Sequence, residues 1–344
     1  MRGDARIVIQ RWTNLSVGMA ALSGLLLVFL ATSPAFLPVT TVDKLTVLFI
    51  YVTLAAMWNA LAGYGGMISA GQQAFFGLGA YFAIRLSEWG MEPYTALVVA
   101  AFLAGLCALP ISFVVQRLRA AEFAVGMWVV AETIRLLVNL DQVVQGDTGH
   151  SLIALSQIDP GTRRDFTFWM ALACMSLSLS VIFIMLRSRL GASIQAIRDN
   201  EEAAASVGVR VAFTKRVIFV TAAVGCALAG GVWLAAFTTF QPRSFFSVQW
   251  SAYMIFMVLV GGIGRFEGPI LGAVIFFLIE TWWGTSGVWY LVILGSIALL
   301  FSLFLPKGIW GYIEDRFRIL LLPIGYTIRG ATGAGPPAHS TELH

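Results

Sequence analysis

Pro93-Tyr-Thr-Ala-Leu-Val-Val-Ala-Ala-Phe-Leu-Ala-Gly-Leu-Cys-Ala-Leu-Pro-Ile-Ser-Phe-Val-Val115 carries no charged side chain. As a helix rising about 1.5 Å per residue it reaches about 34 Å, enough to cross a hydrocarbon layer about 30 Å thick. Working outward, similar runs recur near 15–37, 45–62, 67–88, 121–140, 166–187, 214–237, 249–262, 268–285 and 288–305. Of the 344 residues, 58% are hydrophobic and only 12% charged. A water-soluble fold must face most of its surface with polar groups and has no room for so much apolar chain. The expected fold is an all-α polytopic membrane protein with about ten transmembrane helices. The run from Leu15 to Leu37 is too long for a cleaved leader and is kept as the first span.

Charge placement orients the bundle. With the N-terminus inside, the inner segments hold Arg2, Arg6, Arg11, Arg117, Arg119, the cluster from Arg187 to Arg216, Arg265, Lys307, Arg316, Arg318 and Arg329. The outer segments hold only Lys44, Arg163, Arg164 and Arg243. That asymmetry places both termini in the cytoplasm. Residues 1–14 then form a cytoplasmic tail, 15–305 the membrane domain, and 306–344 a C-terminal tail, interfacial at first and disordered after Arg329.

Several chemistries are excluded. Cys107, Cys174 and Cys226 are scattered through apolar runs, and His150, His339 and His344 are dispersed, so neither a disulfide framework nor a metal site is expected. No phosphate-binding G-x-x-x-x-G-K-[ST] loop occurs, since Lys44, Lys215 and Lys307 never follow a glycine. Nor does an H-E-x-x-H motif. ATP hydrolysis, if it drives this protein, belongs to a partner.

Two glycine-rich turns interrupt the apolar pattern. The first holds Gly63, Tyr64, Gly65, Gly66, Ser69, Gly71, Gln72 and Gln73; the second holds Gly261, Gly262, Gly264 and Gly268. Irregular backbone at membrane depth survives only where protein or a water-filled cavity satisfies it, and such turns in both halves of a chain point to a transport path. Asn59, Ser69, Gln72 and Gln73, with Tyr64 narrowing the way, are candidates for meeting solute; helix–helix hydrogen bonding is the competing role. Glu132 and Arg135 are three apart and suited to pair, while Glu280 is expected to reach the interface beside Trp282 and Trp283.

The segment 188–213 is polar where a span-to-span connection needs only a few residues. Asp199 and Glu202 have capping-box spacing, so a bend over Arg198 to Asn200 and a new helix from Glu201 to Gly208 are expected. Ala196, Ile197, Arg198, Asp199, Asn200, Glu201, Glu202, Ala203 and Gly208 form either a docking element for a cytoplasmic partner or an amphipathic helix resting on headgroups.

The stretch from Trp58 to Gly66, continuing Ser69-Ala-Gly-Gln-Gln-Ala-Phe-Phe-Gly-Leu-Gly-Ala-Tyr81, resembles the permease signature of bacterial ABC importers for branched-chain amino acids. Arg117-Leu-Arg119, Ser188-Arg-Leu-Gly191, Ala196 to Ala204, Gly261-Gly-Ile-Gly264 with Gly268-Pro269, and Pro306-Lys-Gly308 extend the resemblance across about residues 45 to 312, nearest to the LivM-like subunit. The resemblance implies a second, LivH-like permease subunit, two cytoplasmic ABC ATPases that use ATP and magnesium, and a periplasmic solute-binding protein. No cofactor is expected on this chain and no nucleic acid among its partners. It also identifies 188–213 with the family's coupling loop. Gln72 departs from the His that many relatives carry, and urea and short-amide permeases share the family, so the cargo stays open between these classes. An ion-coupled transporter working alone is the alternative of another kind.

Overall fold

The computed structural model describes residues 8–10, 14–118, 120–144, 149–284, 287–317 and 327–329. In chain order the elements are β1 (Val8–Gln10), α1 (Asn14–Thr32), α2 (Val39–Asn59), α3 (Gln73–Glu88), α4 (Pro93–Val115), α5 (Ala120–Asn139), β2 (His150–Ser151), α6 (Ile153–Ser156), α7 (Pro160–Arg187), α8 (Arg189–Asp199) and α9 (Glu201–Ser206). There follow α10 (Val211–Phe237), β3 (Thr239–Phe240), α11 (Pro242–Phe245), α12 (Val248–Gly261), α13 (Gly268–Trp283), α14 (Val288–Phe304), α15 (Gly308–Phe317) and β4 (Thr327–Arg329). A single π-helical turn, Ala60–Tyr64, extends α2.

The chain is a helical, multi-pass bundle. Seven helical stretches are long and apolar enough to cross a membrane, among them Val39–Tyr64, Pro93–Val115, Pro160–Arg187 and Val211–Phe237. Large apolar side chains face outward, such as Leu25, Phe102, Leu106, Leu137 and Leu303. Facing water they would be a severe liability; facing lipid they are at rest. α2 sits at the centre, packed by α7, α10, α12 and α13, whereas α1 and α14 lie at the edge. β1 pairs antiparallel with β4, Ile9 opposite Ile328, so the described ends of the chain lie side by side. The tail after Arg329 lies outside the described residues.

Small residues set the tightest packing. A Cβ added to Gly230 of α10 would fall inside contact distance of the Phe76 carbonyl of α3, and one on Gly79 would strike the Ala227 carbonyl. Backbones meet directly there, so dispersion contacts form along whole helix faces where lipid offers no hydrophobic drive.

The structure corrects several sequence expectations. The third apolar run does not enter its helix at 67; residues 65–72 are irregular and α3 starts at Gln73. Gly66 at φ +67° turns the chain out of the helical path. The span expected at 166–187 starts at Pro160, because Asp159 accepts hydrogen bonds from the Gly161 and Thr162 amides with Pro160 in the first turn. Arg163 and Arg164 therefore lie on a helix, and Arg164 pairs with Asp43 at 3.3 Å. Glu280 turns inward and accepts from the Tyr51 hydroxyl at 2.8 Å, while Trp282 and Trp283 face out. Two residues along a helix turn a side chain by about 200°, so Trp282 leaves the face that carries Glu280. Glu132 and Arg135 do pair, with Nε at 3.0 and 3.1 Å from the two carboxylate oxygens.

At the C-terminal end of α3, Asp141 accepts from the Tyr81 hydroxyl at 2.6 Å and the Val143 amide at 3.1 Å, with Arg85 Nε 3.4 Å away. Burial pushes the carboxyl up, but these two hydrogen bonds and the Arg85 charge outweigh it and hold Asp141 below its ordinary value.

Candidate functional site

The two glycine turns meet. Gly63, on the π-helical turn, lies so close to Gly264 that a side chain on it would strike the Gly264 backbone and the Asn59 amide. Asn59 spans the contact: its Oδ1 accepts from the Gly264 amide and its Nδ2 donates to the Arg265 carbonyl, each at 2.8 Å. At the π-helical turn the Gly65 amide reaches back to Ala60 at 3.3 Å and the Met67 amide to Leu61 at 3.1 Å, which leaves the Gly63 carbonyl without its α-pattern donor. Gly264 holds φ +71° and Gly262 φ +133°, conformations that glycine adopts without strain.

The polar segment closes over this junction. Ser188 caps α8 by accepting from the Leu190 amide at 3.1 Å, and Ile194 and Ile197 bury its apolar face. The bend falls at Asn200, whose side chain accepts from the Ala203 amide at 3.0 Å and starts α9. Asp199 is not the cap expected from its spacing with Glu202, because Asn200 is the residue with extended backbone at the break and Asp199 still belongs to α8. Gly208, at φ +89°, ends the segment. Arg198 points inward from the bend, where Nη1 donates to the Gly63 carbonyl at 3.0 Å while Nε and Nη2 each lie 3.3 Å from Asp199. Lys215 of α10 pairs with Glu201 at 2.6 Å. A cavity of about 700 Å³ opens beside these groups, walled by Gly66, Arg117, Leu118, Arg198, Glu202 and Lys215. Glu201, Glu202, Ala203 and Val207 remain exposed, Val207 to 78%.

The pathway candidates divide sharply. Asn59 is spent on the turn-to-turn contact. Ser69 is bound through its backbone carbonyl, which accepts from Trp58 Nε1 at 2.8 Å, and its hydroxyl accepts from the Gly71 amide at 3.2 Å. Gln73 accepts from the Ser251 hydroxyl of α12. Gln72 is fully buried, and neither atom of its amide has a partner among the described residues. Tyr64 is buried in the core, and Gly71 packs against the Met127 backbone of α5. Across the second turn, Gly261 and Gly268 press backbone to backbone. Sequence reasoning missed Ser251 and Glu314, and it placed Trp58 only within the signature stretch; their contacts are with residues far along the chain, which local pattern does not carry.

The family model for the branched-chain amino acid transport system permease component matches residues 40–303. The chain belongs to that family. Curated relatives of this permease include the high-affinity branched-chain amino acid transport system permease protein LivM of Escherichia coli (strain K12) and that of Salmonella typhimurium (strain LT2). Each is 27% identical over 321 residues, which span 86% of this chain and 75% of the relative. A solved structure described as an inward-facing metal-chelate type ABC transporter aligns over 77% of this chain and 88% of its own, with 16% identity and a TM-score of 0.45. The chain is thus a LivM-like, multi-pass permease component of the inner membrane. Among the described residues no group of His, Cys, Asp and Glu could hold a metal ion.

Proposed function

We propose that this permease forms one side of the translocation path of an ATP-driven importer that moves branched-chain or similar hydrophobic amino acids into the cytoplasm by alternating access. On this reading ten helices cross the bilayer with both termini cytoplasmic, and residues 188–213 are the coupling segment. A homologous LivH-like permease completes the path, two cytoplasmic ABC ATPases bind ATP and magnesium, and a periplasmic protein delivers solute.

The observation that carries the reading is the form of α8 and α9. They are capped at both starts, anchored by Ile194 and Ile197, and end in an exposed tip that includes the apolar Val207 beside an open cavity. A lipid-resting helix would lay its apolar residues along one outer face; here the apolar face is turned into the bundle and a polar, ordered edge is presented outward. Displacement of that edge by a partner can move the glycine turns as rigid bodies. Gln72 is the pathway candidate whose buried amide has no partner among the described residues, and a route opening at the 65–72 segment would bring solute to it. The same unpaired amide would suit a urea or short-amide cargo, and the selectivity of the periplasmic protein separates these.

The test uses the permease with its partners in liposomes. Asp199→Ala combined with Glu202→Ala is expected to sever ATP hydrolysis from uptake. Wild-type uptake together with wild-type stimulation of hydrolysis would reject the assignment of 188–213.

A further inference from the structure

Four parts of the chain that are distant in sequence are joined at one end of the bundle by polar contacts linked through short stretches of backbone. Arg198, at the α8–α9 bend, donates to the Gly63 carbonyl at 3.0 Å. Asn59, one turn before Gly63, bonds the Gly264 amide and the Arg265 carbonyl, each at 2.8 Å. The Arg265 guanidinium then pairs with Glu314 of α15 at 2.5 Å, and Glu314 is only 18% exposed. Backbone contact runs alongside: Gly63 abuts Gly264, and Gly308 at the start of α15 abuts Gly262.

We propose that Arg198, Asn59, Arg265 and Glu314 are positioning residues that form a strut, carrying movement of the α8–α9 segment to the α12–α13 turn and on to α15. The inference rests on the reading of 188–213 as the coupling segment and adds where the movement goes. Asn59 is 2% exposed and uses both ends of a planar amide, so its two bonds cannot be exchanged for water as the turns slide. With glycines at the contacts there is no side chain to yield, and packed backbone transmits displacement instead of absorbing it. The guanidinium of Arg265 extends the connection to Glu314, which makes α15 the far anchor and not a passive tail.

Uptake per ATP hydrolysed, in liposomes holding this permease with its partner permease, ATPases and binding protein, reads the strut directly. Glu314→Arg is expected to lower that ratio by roughly fivefold, within the range over which network residues alter coupling, while the complex still assembles and hydrolyses ATP. The exchange Arg265→Glu with Glu314→Arg is expected to restore most of the ratio, which a loss of folding would not allow. Asn59→Leu should fall in the same direction as Glu314→Arg. A wild-type ratio in assembled Glu314→Arg, or no recovery in the exchange, overturns the strut. If Asp199→Ala with Glu202→Ala severs coupling while Glu314→Arg does not, the coupling segment stands and the strut falls. If the Asp199 and Glu202 variant is wild-type, both fall together.

Discussion

The Arg198 guanidinium donates to the Gly63 carbonyl at 3.0 Å across 135 positions of sequence. One side chain thereby joins the exposed polar segment to the point where α2 unwinds. The Gly63 carbonyl loses its helical donor where the Met67 amide bonds Leu61 instead, and a charged donor makes the stronger replacement bond. The same residue leaves part of its charge facing Asp199, so the bend is held from inside and outside at once.

Gln72 tests the pathway by separating stability from transport. Its buried amide has no partner among the described residues, and leaving such a group unsatisfied costs about 1–3 kcal/mol. Gln72→Leu should therefore hold or raise the melting temperature of the detergent-solubilised protein while uptake falls. An unchanged uptake rate would remove Gln72 from the path and make it a packing residue.

Gly230 tests the packing of α3 on α10. A Cβ at this position meets the Phe76 carbonyl, which sits on a helix and cannot swing away. Gly230→Val should cost at least about 1–3 kcal/mol and lower the melting temperature sharply, in keeping with overpacked cores. Gly24→Val, at a position with open space around it, should leave the melting temperature where it was.

Asp141 gives the C-terminal end of α3 an acid limit. Its carboxyl is held below the ordinary value despite burial, so its contribution is complete above an unfolded value of about 3.9 and is lost as pH falls through the lower folded value. Melting temperature measured from pH 7 downward should drop through that acid window. Asp141→Asn should start lower at pH 7 and lose that part of the pH dependence; a parallel curve would assign the acid sensitivity to other carboxyls.

Much of the architecture was open to reading from local pattern. The uncharged run from Pro93 to Val115 is a helix with those same ends, and Asn14, Gly268 and Val288 begin helices within a residue of where the apolar runs begin. Boundaries failed where a short polar signal outranked hydropathy. Asp159 with Pro160 moved a helix start outward, and Gly66 delayed α3 to Gln73. The α8–α9 bend was legible because capping chemistry is local, although the cap itself fell on Asn200.

What the sequence determined alone was a membrane-embedded helical chain with two glycine turns and an ordered polar segment. Bilayer thickness, helix rise and capping act over a few residues, so their imprint stays in neighbouring letters. Only the tertiary structure decided which polar side chains are engaged. Asn59 and Gln72 bear the same amide in the same stretch, yet one bonds to residues more than 200 positions away and the other meets no partner among the described residues. Satisfying a buried amide depends on which distant backbone the fold brings within about 3 Å, and no local pattern carries that distance.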